Sequence, residues 1–279
     1  MDRRDRSAPA AGALGAGASD AESPAADVPD TSARAPGRDD PAAEAVFFTD
    51  EVPVVGAAVL LGEDAAHHMR VRRLDVGTVV GLRDGQGGVG RGTLVRLTRS
   101  AAQVEISAAV QVPPPFPVHL LVPVADRDRM LWLAEKASEL GATSWRPVLW
   151  KRSRSVAPRG EGVTFTGKVQ ARMRAALAQS RGAWLPQLFP EATPERAIQA
   201  APTGTRLMLD ADGTPLAGPE APSLDAPVTF AIGPEGGLVP EERAALAEAG
   251  FVPVSLGGSV LRFETAALVA LGVVRAAGR

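Results

Sequence analysis

The chain has 279 residues, 45% of them apolar, with 30 basic and 32 acidic side chains and a formal net charge of −2. That length can hold two modest domains, each with its own core. There is no cysteine and there are only three histidines, His67, His68 and His119. Disulfides, thiolate metal sites, a cysteine nucleophile and a histidine-rich metal centre are therefore excluded, and no metal is expected.

Residues 1–45 carry nine acids and five arginines among Ala, Pro, Gly and Ser, with almost no large apolar side chain. Such a segment cannot offset its ordering entropy by burial, so a disordered tail is expected there. Its arginine-bearing start lacks the apolar stretch of a secretory signal. No apolar run anywhere is long enough to span a bilayer. A cytoplasmic location is the default, with no membrane partner.

Order is expected from Val46-Phe47-Phe48. Residues 46–112 read as short strands at Ala58–Leu61, Val79–Arg83, Gly92–Leu97 and Gln103–Val110, with one short helix at Asp64–Val71. Many short strands with little helix suggest a small β-barrel. The run Asp84-Gly85-Gln86-Gly87-Gly88-Val89-Gly90 contains a formal G-x-G-x-x-G, but a strand-like stretch follows it where a dinucleotide site needs a helix. It reads as a flexible hairpin. Pro113-Pro114-Pro115-Phe116-Pro117 is a stiff linker and a natural boundary.

From residue 117 to 279 strands alternate with helices, which implies an α/β domain with a parallel sheet. Strands are expected at Val118–Val124, Trp145–Leu149, Arg206–Asp210, Val228–Gly233 and Val252–Leu256. Helices are expected from Asp126, a capping residue, to Leu140, then at Gly167–Gln179, Pro240–Ala249 and Glu264–Ala277. Between Arg146 and Arg181 lie nine basic residues against one acid, Glu161. Arginine forks bind phosphate in bidentate fashion, so this stretch is either a solvated basic face or a polyanion surface.

Two strands near the C-terminus end in glycine-rich loops, Gly233-Pro234-Glu235-Gly236-Gly237 and Leu256-Gly257-Gly258-Ser259-Val260-Leu261-Arg262. Ligands of open α/β sheets bind at the carboxyl ends of strands, so the pair suggests one small-molecule site built from backbone. Neither loop has the G-K-[ST] of a phosphate-cradling nucleotidase. Within Lys136-Ala137-Ser138-Glu139-Leu140-Gly141, Lys136 and Glu139 are spaced for an ion pair on one helix.

These segments taken together resemble a known family. I-G-P-E-G-G-x-x-x-x-E at 232–242, S-L-G-x-x-V-L-R-x-E-T-A at 255–266, K-A-S-E-L-G at 136–141 and Q-S-x-x-x-W-x-P at 179–186 resemble the RsmE-like 16S ribosomal RNA uridine-N3 methyltransferases of the SPOUT superfamily. The stretch His67 to Arg73 and the Asp84-Gly85 turn resemble that family's PUA-like barrel. The resemblance covers residues 46–279. It implies a SPOUT-type parallel sheet with a C-terminal trefoil knot after a small PUA-like β-barrel, and a homodimer with its site near the subunit interface. The methyl donor would be S-adenosylmethionine and the substrate N3 of a uridine in 16S rRNA of the small ribosomal subunit.

On that resemblance, Leu209, Ile232, Gly233, Gly236, Leu256, Gly257, Val260 and Leu261 would bind the cofactor, with Ile232 and Val260 as apolar walls. Glu235 or Glu264 would accept the N3 proton, or Arg262 would stabilise a developing oxyanion. Alternatively, Glu264 caps the last helix and pairs with Arg262. Arg70, Arg72, Arg73, Arg91, Arg152, Arg154 and Arg172 would grip RNA phosphates. The chain departs from the family at Gly258-Ser259, usually Pro-Arg, and at Ala178 and Gly182, usually Glu and Arg. Another SPOUT methyltransferase, acting on a ribose 2′-hydroxyl or on tRNA, and a non-catalytic RNA-binding assembly protein are the competing readings.

Overall fold

A computed structural model describes residues 43–155 and 162–278. The tail expected over residues 1–45 lies outside them except at its end, where Ala45 already opens a strand.

The N-terminal elements are β1 (Ala45–Phe48), β2 (Ala58–Leu61), α1 (Glu63–Val71), β3 (Val79–Arg83), β4 (Gly88–Leu97) and β5 (Ala102–Gln111). β3, β4 and β5 form an antiparallel meander, β2 pairs antiparallel with β5, and β1 pairs parallel with β3. The strand order is β1-β3-β4-β5-β2. Alternation along β4 and β5 sends one side chain in two inward. Val80, Leu82, Leu94, Val104 and Ile106 build a core that Ala66 and Met69 of α1 complete. β1 and β2 remain edges, so this PUA-like sheet is a curled half-barrel rather than a closed one. Gly62 holds the capping position of α1, and Asp64 sits in the first helical turn.

The second sheet is made of β6 (Val118–Pro123), β7 (Ser144–Val148), β8 (Gln187–Leu188), β9 (Thr205–Pro215), β10 (Val228–Ala231) and β11 (Val252–Ser255), in the order β11-β9-β10-β6-β7-β8. Every pairing in it is parallel. β10 is buried at all its positions, as a strand covered on both faces must be. Of the connecting helices, α2 (Arg127–Glu139), α3 (Val163–Ser180) and α6 (Phe263–Ala276) share a core with Val118, Leu120, Val122 and Phe230. The opposite face, with Leu121, Trp150 and Met208, is covered by α4 (Pro194–Gln199) and α5 (Pro240–Glu248). α2 begins as its sequence dictates: the Asp126 carboxylate accepts from Arg129 N at 3.1 Å, and Gly141, at φ +67°, ends it.

The Asp84 hairpin is not a free loop. Asp84 is buried, and its Oδ1 accepts from Gln86 N at 2.7 Å and Gly88 N at 2.8 Å. The turn also bonds the segment after α3, with Gly87 N donating to Ala183 O and Leu185 N to Gly85 O, both at 2.9 Å. Trp184 Nε1 donates to Val112 O and Pro113 O at 3.1 Å. The Q-S-x-x-x-W-x-P motif thus ties the two sheets together.

His119 on β6 shares a 2.8 Å hydrogen bond with Ser144 Oγ on β7, and burial lowers its pKa below the ordinary value. The unfolded chain then binds more protons than the folded one, so stability rises with pH. The contribution is complete above the unfolded value near 6.5 and is lost as pH falls through the lower folded value. Thermal melts should therefore show a decline on acidification that begins below about pH 6.5 and is shallower in His119→Gln.

Candidate active site

Three adjacent parallel strands, β11, β9 and β10, deliver their carboxyl ends to one place. The loop after β10, the loop after β11 and an excursion within β9 surround a cavity of about 280 Å³. That volume is near the lower end of small-molecule sites, about 300–1,000 Å³.

The excursion is the feature the sequence did not announce. Val252 and Pro253 of β11 pair with Leu207 and Met208, but Val254 and Ser255 pair with Thr214 and Pro215. Residues 209–213 are therefore looped out of register, and Leu209, Asp210, Ala211 and Asp212 line the cavity. The strand expected to stop at Asp210 continues to Pro215 beyond this bulge. Asp210 pairs with Arg243 of α5, and both face the cavity.

Of the residues named for cofactor contact, Leu209, Ile232, Gly233, Leu256, Gly257, Val260 and Leu261 surround this cavity. Gly236 does not line it; its carbonyl accepts a hydrogen bond from Arg152 Nη1. Ile232 is fully buried, a wall in the ordinary sense, whereas Val260 is 90% exposed and stands at the rim. Gly237 at φ +72° closes the first loop with a 2.7 Å bond from its N–H to Pro234 O. Trp150, after β7 and fully buried, donates from Nε1 to Ile232 O at 3.0 Å and so fixes the cavity wall from behind. Glu242, the last residue of the first motif, is buried and accepts from Val239 N at 3.0 Å and Lys151 N at 2.7 Å.

The residues named for catalysis divide. Glu235 lines the cavity, Glu264 is buried in the first turn of α6, and Arg262 is exposed and does not line the cavity. Glu264 does not pair with Arg262. The cation that meets it is Arg129 of α2, whose Nε lies 3.8 Å from Glu264 Oε1 and whose Nη1 pairs with Glu235 Oε1. Sequence reading passed over Arg129, since no local spacing links α2 to these two loops.

Arg70, Arg72 and Arg73 are exposed at the end of α1, with Arg72 bonded to His68. Arg91 is half-buried on β4, and Arg172 is exposed with Glu135 3.8 Å away. The side chain of Arg154 lies outside the described residues. A groove of about 950 Å³ between β1, α1 and α3 includes Arg72, Arg174 and Gln179. Lys136 makes the expected ion pair with Glu139 at 2.8 Å and a second with Glu135 at 2.9 Å. These bonds, Glu139 first, raise its pKa. Ser138 Oγ donates to Met173 O, so the 136–141 motif serves α2–α3 packing. Among the described residues no group of three metal-ligating side chains forms, and no helix is long and apolar enough to cross a membrane.

A family model described as an RNA methyltransferase domain matches residues 112–275, and one described as an RNA methyltransferase PUA domain matches residues 61–107. The chain is 32% identical over 238 residues to the ribosomal RNA small subunit methyltransferase E of Mycobacterium bovis, spanning 82% of this chain and 90% of that protein. Its fold is similar to the crystal structure of a ribosomal RNA small subunit methyltransferase E from Neisseria gonorrhoeae bound to S-adenosyl methionine. The TM-score is 0.75 at 28% identity, covering 84% of this chain and 97% of that one. A protein of Legionella pneumophila in complex with the bound cofactor SAM gives a TM-score of 0.73 at 25% identity, covering 83% and 97%.

Proposed function

We propose, because this chain belongs to the ribosomal RNA small subunit methyltransferase E family, that it transfers the methyl group of S-adenosylmethionine to N3 of a uridine in 16S rRNA. It is an S-adenosylmethionine-dependent RNA methyltransferase of that family. The observation that supports the methyl-donor part of this reading is the cavity formed where the β9 excursion and both glycine loops converge. It suits the donor: loop backbone for the adenine edges, Ile232 and Leu256 as apolar wall, and carboxylates at Asp210 and Asp212 for polar groups. Bound there, S-adenosylmethionine supplies an electrophilic methyl on a sulfonium.

The protein's part is positioning and proton removal. The imide N3–H of uridine is a poor nucleophile until its proton leaves, and two carboxylates meet at Arg129: Glu235, which lines the cavity, and the buried Glu264. Alignment of the two reactants supplies the rest of the acceleration. A homodimer belongs to the same reading, supported by the exposed apolar Val260 at the rim and by Trp132 and Val269 on α2 and α6. So do a trefoil knot around the loops after β10 and β11, and a cytoplasmic location. Arg70, Arg72 and Arg73 would meet phosphates, so RNA affinity should fall steeply with salt.

The test uses purified protein, methyl-labelled S-adenosylmethionine and small ribosomal subunits lacking the modification, followed by nucleoside analysis. Label in 3-methyluridine is expected. Label in a 2′-O-methyl nucleoside, or only in added tRNA, would move the protein to another branch of the superfamily. Absence of S-adenosylmethionine binding in calorimetry would make it a non-catalytic RNA-binding protein.

A further inference from the structure

Three elements remote in sequence meet at one guanidinium. Arg129, in the first turn of α2, pairs through Nη1 with Glu235 of the loop after β10, and its Nε lies 3.8 Å from Oε1 of Glu264 at the start of α6. The two carboxylates are not equivalent. The Glu235 side chain is 43% exposed, that of Glu264 only 11%. Glu264 Oε2 is buried and has no hydrogen-bond partner among the described residues. The N-cap of α6 is Arg262, whose side chain makes no capping hydrogen bond.

A buried carboxylate oxygen without a donor is costly, and one that persists in a folded protein calls for a reason. A ligand that brings an N–H removes the cost. Leu261, Phe263 and Ala266 around it line the cavity while Glu264 does not, and Arg129 joins its carboxylate to Glu235, which does. The imide N3–H of a uracil is a donor of the required kind.

We infer that Glu264 is the proton acceptor for N3 of the substrate uridine and that Arg129 is its positioning residue; this rests on the uridine-N3 reading given above. The N3 proton passes to Glu264 Oε2. The freed N3 lone pair forms the N–C bond to the methyl carbon as the S–C bond breaks. That bond's electrons stay on sulfur, which leaves neutral S-adenosylhomocysteine and N3-methyluridine. Arg129 holds Oε1 and leaves Oε2 for the base. Glu235 braces the guanidinium from the solvent side and shares its charge.

The test compares wild type, Glu264→Gln, Arg129→Ala and Arg129→Lys. Glu264→Gln should bind S-adenosylmethionine within about threefold of wild type in calorimetry and lose at least about 100-fold in kcat. Its residual rate should climb about tenfold per pH unit on the alkaline side, since solvent must now take the proton. Arg129→Ala should lose kcat with little change in the KM for S-adenosylmethionine, and Arg129→Lys should recover part of that loss. A binding readout needs no turnover. With S-adenosylhomocysteine present, wild type should prefer the unmethylated rRNA fragment it acts on to its own methylated product. Glu264→Gln should narrow that preference about tenfold, the worth of one charge-assisted hydrogen bond. Wild-type kcat or an unchanged preference in Glu264→Gln overturns the assignment of Glu264. Equal loss of S-adenosylmethionine binding and rate in Arg129→Ala reduces Arg129 to a loop brace. If wild type itself makes no 3-methyluridine, the uridine reading fails, and that outcome is separate from both.

Discussion

Gly213→Ala is expected to weaken S-adenosylmethionine binding by at least about tenfold and to destabilise the fold by about 3 kcal/mol, the upper part of the range for overpacking. Gly213 closes the β9 excursion at the point where the strand returns to β11. A Cβ placed there would lie 2.5 Å from Pro253 C and Val254 N, and 2.7 Å from Pro253 O. Those are backbone atoms of the neighbouring strand and cannot swing aside as a side chain does. Relief requires β11 to move from β9, and Val254 and Leu256, at that end of β11, line the cavity. Denaturant melts and calorimetry check both effects. Gly272 in α6 is the matched control, since a Cβ there meets nothing within 4 Å. Gly272→Ala should stabilise by up to about 1 kcal/mol through helix propensity and leave binding unchanged.

Trp150→Ala should cost about 4 kcal/mol of stability. The side chain is fully buried among Leu121, Met208, Ala231 and Leu246, and its loss leaves a large void. Trp150→Phe separates packing from the hydrogen bond. It keeps most of the volume but removes the Nε1 donor to Ile232 O. Phe should cost about 1–2 kcal/mol. Its loss of S-adenosylmethionine affinity should be larger than its modest destabilisation suggests, because Ile232 is part of the cavity wall. Equal affinity in Trp150→Phe and wild type would show that the wall does not depend on this bond.

Local signals carried the fold. A capping Asp126, a stopping Gly141 and an apolar Val118–Val124 are each interpretable within a turn or two of chain, and the alternation of strands with helices specified a parallel sheet. The β9 excursion was hidden because its register depends on β11, a partner supplied much later in the chain. The half-barrel's open edge was hidden for the same reason, since closure is decided by whether β1 and β2 meet.

The candidate site was legible where it is made of backbone. The two glycine loops advertise themselves by composition, and both reach the cavity. Its charged chemistry was less so. Glu235 and Glu264 stood in motifs, but the cation between them comes from α2, and Arg262, adjacent in sequence, lies exposed away from the cavity. Arg152, named for phosphate contact, also bonds Gly236 O through its guanidinium. Val260, named as an apolar wall, stands 90% exposed at the rim. In each case the residue type was informative and its direction was not, because direction is set by tertiary contacts.

The most direct test is quantitative mass spectrometry of 16S rRNA nucleosides from a strain lacking the gene for this protein. Loss of 3-methyluridine, restored by the wild-type gene and not by Glu264→Gln, is the predicted result. Unchanged 3-methyluridine, with or without the loss of a 2′-O-methyl mark, would contradict it.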